Sequence, residues 1–289
     1  MKAIEKKYLL PFILVTSLFA LWGLANNMTD TLLAAFKRIM DMSDTQTSLI
    51  QLSFYGAYFC LALPAALFIR KLSYKSGIIL GLVMYASGAL LFLPAAKAES
   101  YAFYLIAIYI LAAGCSVLET VANPYIMSMG SAETATRRLN IAQSFNPIGS
   151  ILGILVSKYF ILQDISLYSV SGTYAALGVV LLGIMVVMLF VRIPSTLRQA
   201  QGPLRDRSGT GLRATFKRLI RNKEYVLGVV AQFFYVGAQI GVWSFTIRLV
   251  MKELGYVEAQ AATLYLISIV GFCASRFEHP HLFLQLVIE

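Results

Sequence analysis

Residues 101–129, YAFYLIAIYILAAGCSVLETVANPYIMSM, decide how the rest of the chain is read. Glu119 is the only charged side chain in the stretch. At about 1.5 Å per residue, a helix of this length exceeds the ~30 Å hydrocarbon core of a bilayer. Working outward, seven further apolar stretches of similar kind appear: Tyr8–Phe36, Leu49–Ile69, Ser76–Ala96, Leu139–Leu162, Val170–Val191, Tyr225–Met251 and Ala259–Phe277. Over all 289 residues, 58% are hydrophobic and 13% charged, and the mean hydropathy is +0.73. That leaves too little polar surface for a water-soluble globule and too much apolar content for disorder. The expectation is an all-α polytopic membrane protein.

The net charge of +10 invites a nucleic-acid reading, but the basic residues lie in short segments between apolar runs, as topology signals do. With the N-terminus inside, the inner segments hold Lys2, Lys6, Lys7, Arg70, Lys71, Lys75, Arg137, Arg138, nine residues between spans six and seven, and Arg276 after span eight. Six basic residues fall outside, so the positive-inside rule places the N-terminus in the cytoplasm of a cell with this protein in its inner membrane. The early Lys residues followed by an apolar run resemble a signal peptide. The run is long and seven more follow, so it reads as a retained anchor.

Residues 1–192 form a six-span unit, 193–223 a basic cytoplasmic linker, 224–277 two further spans and 278–289 an atypical tail. Pro194, Gly202, Pro203, Gly209 and Gly211 punctuate the linker, and Leu212–Ile220 has the pattern of a short basic amphipathic helix. A six–linker–six plan is typical of transporters built from two pseudo-symmetric halves. Cys60, Cys115 and Cys273 sit in apolar runs, and His279 with His281 has no third ligand nearby, so neither a disulfide framework nor a metal site is expected.

An ionisable side chain within a span costs about 2.5–3.5 kcal/mol on insertion scales and so asks for a role. Two carboxylates qualify. Asp30 lies i, i+3 from Asn27 on span one, with an interfacial aspartate as its plain alternative. Glu119 lies near the middle of span four, with Asn123 at i+4 and Pro124 freeing a carbonyl nearby. Its plain alternative is a neutral structural acid, and its functional one is a group that loads and releases protons. Gln51 opens span two, Gln143 and Asn146 share a face of span five before Pro147, and Gln232, Tyr235, Gln239 and Trp243 line one stripe of span seven. Each can be helix–helix glue. Together, amides, carboxylates and aromatic faces suit an uncharged polyhydroxylated ligand, and the lack of intramembrane Lys or Arg argues against an anionic one. Gly149 and Gly153 read as a close-packing pair. No nucleophile–base set, metal set or phosphate loop appears, so neither an enzyme nor a cofactor is expected.

Six segments carry a family resemblance: PFILVTSLFALWGLANNMTD (11–30), LIQLSFYGAYF (49–59), RKLSYKSGIILGL (70–82), LETVANP (118–124), RLNIAQSFNPIGS (138–150) and AQFFYVGAQIGVWSF (231–245). In this order they resemble the fucose permease branch of the major facilitator superfamily, and the match runs almost to Phe277. The loop Arg70–Gly77 departs from the superfamily's Gly-Asp-Arg-rich signature, as this branch generally does. The resemblance implies proton-coupled uptake of a monosaccharide, L-fucose first, by alternating access between two six-helix bundles, with sodium as the alternative coupling ion. It implies proton coupling and sugar contact at Asp30 and Glu119. Asn27, Gln143 and Asn146 would line the sugar site, with Gln232, Tyr235 and Gln239 contributed from span seven. It also implies twelve spans where eight are read, so the second expectation is a shortened, non-transporting membrane fragment that keeps part of the sugar site. The expected partners are the sugar, the ion and the lipid bilayer.

Overall fold

The computed structural model describes residues 8–71, 73–163, 166–191, 212–257, 260–272 and 274. The expected tail, most of the linker, Arg276, the two histidines, Cys273 and the first Lys residues lie outside them, as does the side chain of Asp30. Every regular element described is helical. We number these α1 (Leu9–Ile39), α2 (Asp44–Lys71), α3 (Tyr74–Leu90), α4 (Phe92–Lys97), α5 (Tyr101–Ser128), α6 (Ala135–Gln143), α7 (Phe145–Val156), α8 (Leu167–Phe190), α9 (Leu212–Arg221), α10 (Lys223–Leu254) and α11 (Gln260–Phe272). Short 3₁₀ and π segments, Ala132–Thr134 and Ser157–Ile161, extend α6 and α7 into one span. Seven helical segments are long and apolar enough to cross a membrane, and α11 lies within the eighth apolar stretch.

Helix ends follow their local chemistry. Ser73, Ser100 and Ser166 accept from Ser76 N, Phe103 N and Ser169 N, and Asn222 caps both Glu224 N and Tyr225 N. Gly255, at φ 67, closes α10 in the left-handed conformation that a glycine adopts without cost. Two expected spans are divided. Span three breaks between α3 and α4, just before Pro94, and span five breaks at Ser144, just before Pro147. A proline has no N–H to give the carbonyl four residues earlier and its ring crowds that turn. At Pro147 the carbonyl so released belongs to Gln143.

Lipid chains are as apolar as leucine, so helices in a membrane associate through close fit and polar contacts. The α1–α7 pair shows this directly. A Cβ on Gly149 would lie 1.8 Å from the Ala20 carbonyl oxygen, one on Gly153 2.5 Å from that of Leu24, and one on Gly23 2.1 Å from that of Asn146. The α3–α5 pair repeats the device, with Gly88 against Leu111 and Gly114 against Tyr85. Tyr85 donates to the Leu21 carbonyl at 2.8 Å and Ser53 to that of Leu105 at 2.7 Å, which tie α3 to α1 and α2 to α5. At the Ile39 end, Phe92 stacks on Tyr174 with centroids 4.0 Å apart, and Tyr104 packs on Phe36. Outward faces carry the reverse pattern: Phe59 is 89% exposed, as a lipid-facing side chain is.

Arg138, counted above as an inner loop charge, is fully buried. Its guanidinium donates to the carbonyls of Ile126, Met127 and Ser131 and to the Thr134 hydroxyl, closing the C-terminal end of α5. Arg137 beside it is exposed. A C-terminal turn leaves carbonyls without N–H partners, and a five-donor cation satisfies several at once. Lys75 does the same for α8, reaching the carbonyls of Leu189 and Val191 at 2.7 and 2.9 Å.

Candidate functional site

The close α1–α7 seam and the break before Pro147 set the amides of span five beside span one. Asn146 opens α7 with its backbone carbonyl against Gly23, and its Nδ2 donates to the Phe19 carbonyl at 3.4 Å. One helical turn beyond Gly23, Asn27 is 1% exposed and donates to the Gly23 carbonyl at 3.1 Å. Gln143, at the end of α6, donates to Asn123 Oδ1 at 3.2 Å, and Asn123 in turn donates to the backbone carbonyl of Glu119 at 3.2 Å. The amide chain therefore runs from α6 to the level of Glu119, a half-buried acid in α5.

Glu119 stands without a basic partner among the described residues. Tyr58 of α2 lies within electrostatic range of both Glu119 and Cys115. Trp22 Nε1 and Tyr58 Oη approach one another without completing a hydrogen bond. Asn26 Oδ1 and Ser116 Oγ are likewise buried and unpartnered among the described residues. A buried polar atom without a partner costs about 1–3 kcal/mol, so several near one acid call for an occupant that can bond to them.

The structure thus brings Asn27, Glu119, Gln143 and Asn146 into one region of the six-span unit. Asp30 lies on α1 as expected, one turn beyond Asn27. Gln232, Tyr235 and Gln239 lie on α10. Tyr235 is 51% exposed and Gln232 is exposed, so neither is gathered to the N-terminal cluster; Gln239 is half-buried. Trp243, last in that stripe, packs edge-on against Phe272 of α11 with centroids 5.4 Å apart.

Sequence reasoning missed Trp22, Asn26, Tyr58, Ser116 and Tyr265. Trp22, Asn26 and Asp30 stand at i, i+4 and i+8, a face that was legible in the sequence. Tyr265 is a single phenol in an apolar run and carries no such signal, whereas Tyr58 shares a helix face with Tyr55 at i−3. Tyr265 is fully buried and donates to Asn27 Oδ1 at 2.9 Å, joining α11 to α1.

Residues 12–278 match the profile of the Major Facilitator Superfamily. The chain is 39% identical to the L-fucose-proton symporter of Haemophilus influenzae, over 96% of this chain and 69% of that one. It is 32% identical to the glucose/galactose transporter of Brucella abortus, over 84% of this chain and 59% of that one. Its structure resembles the crystal structure of a transporter of the same superfamily, FucP, in the outward conformation. That match has a TM-score of 0.78 at 33% identity and covers 97% of this chain and 72% of that one.

Proposed function

From the premise that the chain belongs to the major facilitator superfamily, in its L-fucose–proton symporter branch, we propose that it takes up a monosaccharide, L-fucose, together with a proton. The chain is a multi-pass membrane protein of a transporter family and not an enzyme. The observation that carries the reading is the set of buried polar atoms on Trp22, Asn26, Tyr58 and Ser116 without a partner among the described residues, together with an acid that has no basic partner among them. A sugar ring offers hydroxyls that donate and accept at once, together with C–H faces that stack on aromatic rings.

In this reading Glu119 takes the proton while the site faces outward, with Asp30 as the second coupling carboxylate. Asn27, Gln143 and Asn146, with Asp30 and Glu119, bind the hydroxyls from the first unit, and Gln232, Tyr235 and Gln239 bind them from the second. Occupancy by sugar and proton together permits the units to rock, and the proton then leaves to the cytoplasm. The units are residues 1–192 and 224–277, joined by the basic segment 193–223 on the cytoplasmic side of the inner membrane. The charge distribution supports this orientation.

L-Fucose is 6-deoxy-L-galactose, with a methyl in place of the hydroxymethyl group, and its ring stereocentres mirror those of D-galactose. A site fitted to the methyl rejects the larger group by overpacking. Proteoliposomes holding the 289-residue chain and given an inward proton gradient are expected to accumulate labelled L-fucose, with loss of uptake when a protonophore is added. Excess unlabelled fucose should compete better than galactose or glucose. Accumulation that ignores the protonophore would remove the proton, and equal competition by all three sugars would remove the fucose assignment.

One observation favours a second reading, a sugar-binding protein that does not transport. The Lys223–Trp243 segment of α10 has no buried residue, so one wall of a closed pathway is uncovered in the described structure. Sugar binding without accumulation in the same vesicles would select it.

A further inference from the structure

The six-span unit and the second unit meet at one end. Tyr265 Oη donates to Asn27 Oδ1 at 2.9 Å, and Lys158 Nζ donates to Thr263 Oγ1 at 2.9 Å. Beside these bonds, Ile154 of α7 packs with Ile247, Ala261, Tyr265 and Ile269 in a separate apolar cluster. Lys158 ends span five, Ile247 sits in the last third of α10, and Tyr265 sits in the second turn of α11, so the seam lies toward the Ile39 end of the bundle. The opposite half of α10 is bare.

We propose that Tyr265 is a positioning residue that governs whether Asn27 can take a sugar. Its hydroxyl holds the Asn27 carboxamide oxygen while the Ile39 end is shut. It must leave before a sugar from that side can reach the amide. The inference rests on the transport reading for its ligand, but not for the latch itself.

At Asn27 Oδ1, like would replace like. Asn27 Nδ2 is turned to its own helix at Gly23, and its Oδ1 receives the phenol under nearly complete burial. A sugar hydroxyl is a donor of the same class as the phenol and would use the same oxygen. Replacing one O–H···O=C bond by another changes the free energy little, so the remaining contacts of the sugar set the balance. A state in which Asn27 is held lowers the apparent affinity by the fraction of molecules so held. Tyr265 thus has a readable effect on affinity. A residue that merely supported the fold would weaken sugar binding when changed, whereas a competitor strengthens it.

The test uses the 289-residue chain in proteoliposomes and the variant Tyr265→Phe, which keeps the ring and loses only the hydroxyl. A reporter cysteine, Ile154→Cys with the native cysteines changed to serine, reads the seam through its alkylation by an impermeant maleimide. Alkylation is expected to quicken about 3–10-fold in Tyr265→Phe, the span of one net hydrogen bond. Asn27→Ala removes the acceptor in place of the donor and should give the same rise, with no further rise in the double variant. It also keeps this arm decisive if Tyr265→Phe fails to fold. L-Fucose titrated against the tryptophan fluorescence should show an apparent affinity about 3–10-fold tighter in Tyr265→Phe. An unchanged alkylation rate overturns the latch. An unchanged or weaker affinity overturns the competition. If no sugar signal appears in either protein, the transport reading fails, and the alkylation rates still decide the latch.

Discussion

The six-span unit and the α10–α11 pair are equally apolar in sequence yet are held in different ways. In the first, helices touch backbone to backbone. Glycines face carbonyls across α1–α7 and α3–α5, and Arg138 and Lys75 fold back onto helix ends. In the second, Gly228, Gly237 and Gly241 have open space around the position of a Cβ, and among the described residues the bonds of Tyr265 and Thr263 and the packing of Ile247, Ala261 and Ile269 on Ile154 join it to the first unit. Under the proposed transport reading, the first unit would move as one body and the second would part from it. Two helices that share a glycine seam must shift their backbones to separate, whereas a seam of side-chain bonds and an isoleucine cluster can open by rotamer changes and a small rotation.

That contrast can be broken at its tightest point. Gly149→Leu forces a side chain where the Ala20 carbonyl already stands 1.8 Å from the Cβ position, and should cost the six-span unit more than about 3 kcal/mol. A large drop in the thermal midpoint in detergent is the measurement, and a near-native midpoint would mean that the seam yields freely. Arg138→Ala strips the end of α5 of its donors and is expected to cost about 2–3 kcal/mol, since bonds to charged groups exceed neutral ones. Arg138→Lys should recover only part of this, because one ammonium cannot replace a planar fork. Lys75→Met removes the donor to two C-terminal carbonyls of α8 and should cost about 1 kcal/mol, seen as a modest fall in the same midpoint. Smallest of all, Gly237→Ala on α10 should be neutral or stabilising by up to about 1 kcal/mol, through helix propensity alone. A loss comparable to that of Gly149→Leu would erase the distinction between the units.

Much of this was readable before the structure. The apolar runs gave the spans, and Gly149 with Gly153 marked the close seam, because side-chain size acts locally; spans three and five were read as unbroken, although Pro94 and Pro147 stood in them. Glu119 and Asn123 stood out because a polar group within a span is rare for an energetic reason. Arg138 was opaque, since an arginine beside a helix end looks the same in sequence whether it is solvated or folded back onto carbonyls. Tyr265 was opaque for a related reason: a single phenol in an apolar run gives no sign of the amide it will meet more than two hundred residues away. The stripe of Gln232, Tyr235 and Gln239 was visible as a face of one helix. Which way that face turns depends on neighbours, and periodicity does not encode them.

In the proposed mechanism Glu119, half-buried in α5 without a basic partner among the described residues, couples proton movement to sugar movement. The most direct measurement compares wild-type and Glu119→Gln proteoliposomes for L-fucose accumulation under an inward proton gradient and for exchange of labelled against unlabelled sugar without one. The account predicts that accumulation disappears in Glu119→Gln while exchange persists, because the amide fills the same space and keeps hydrogen bonding without carrying a proton. Gradient-driven accumulation at the wild-type level in Glu119→Gln would contradict it.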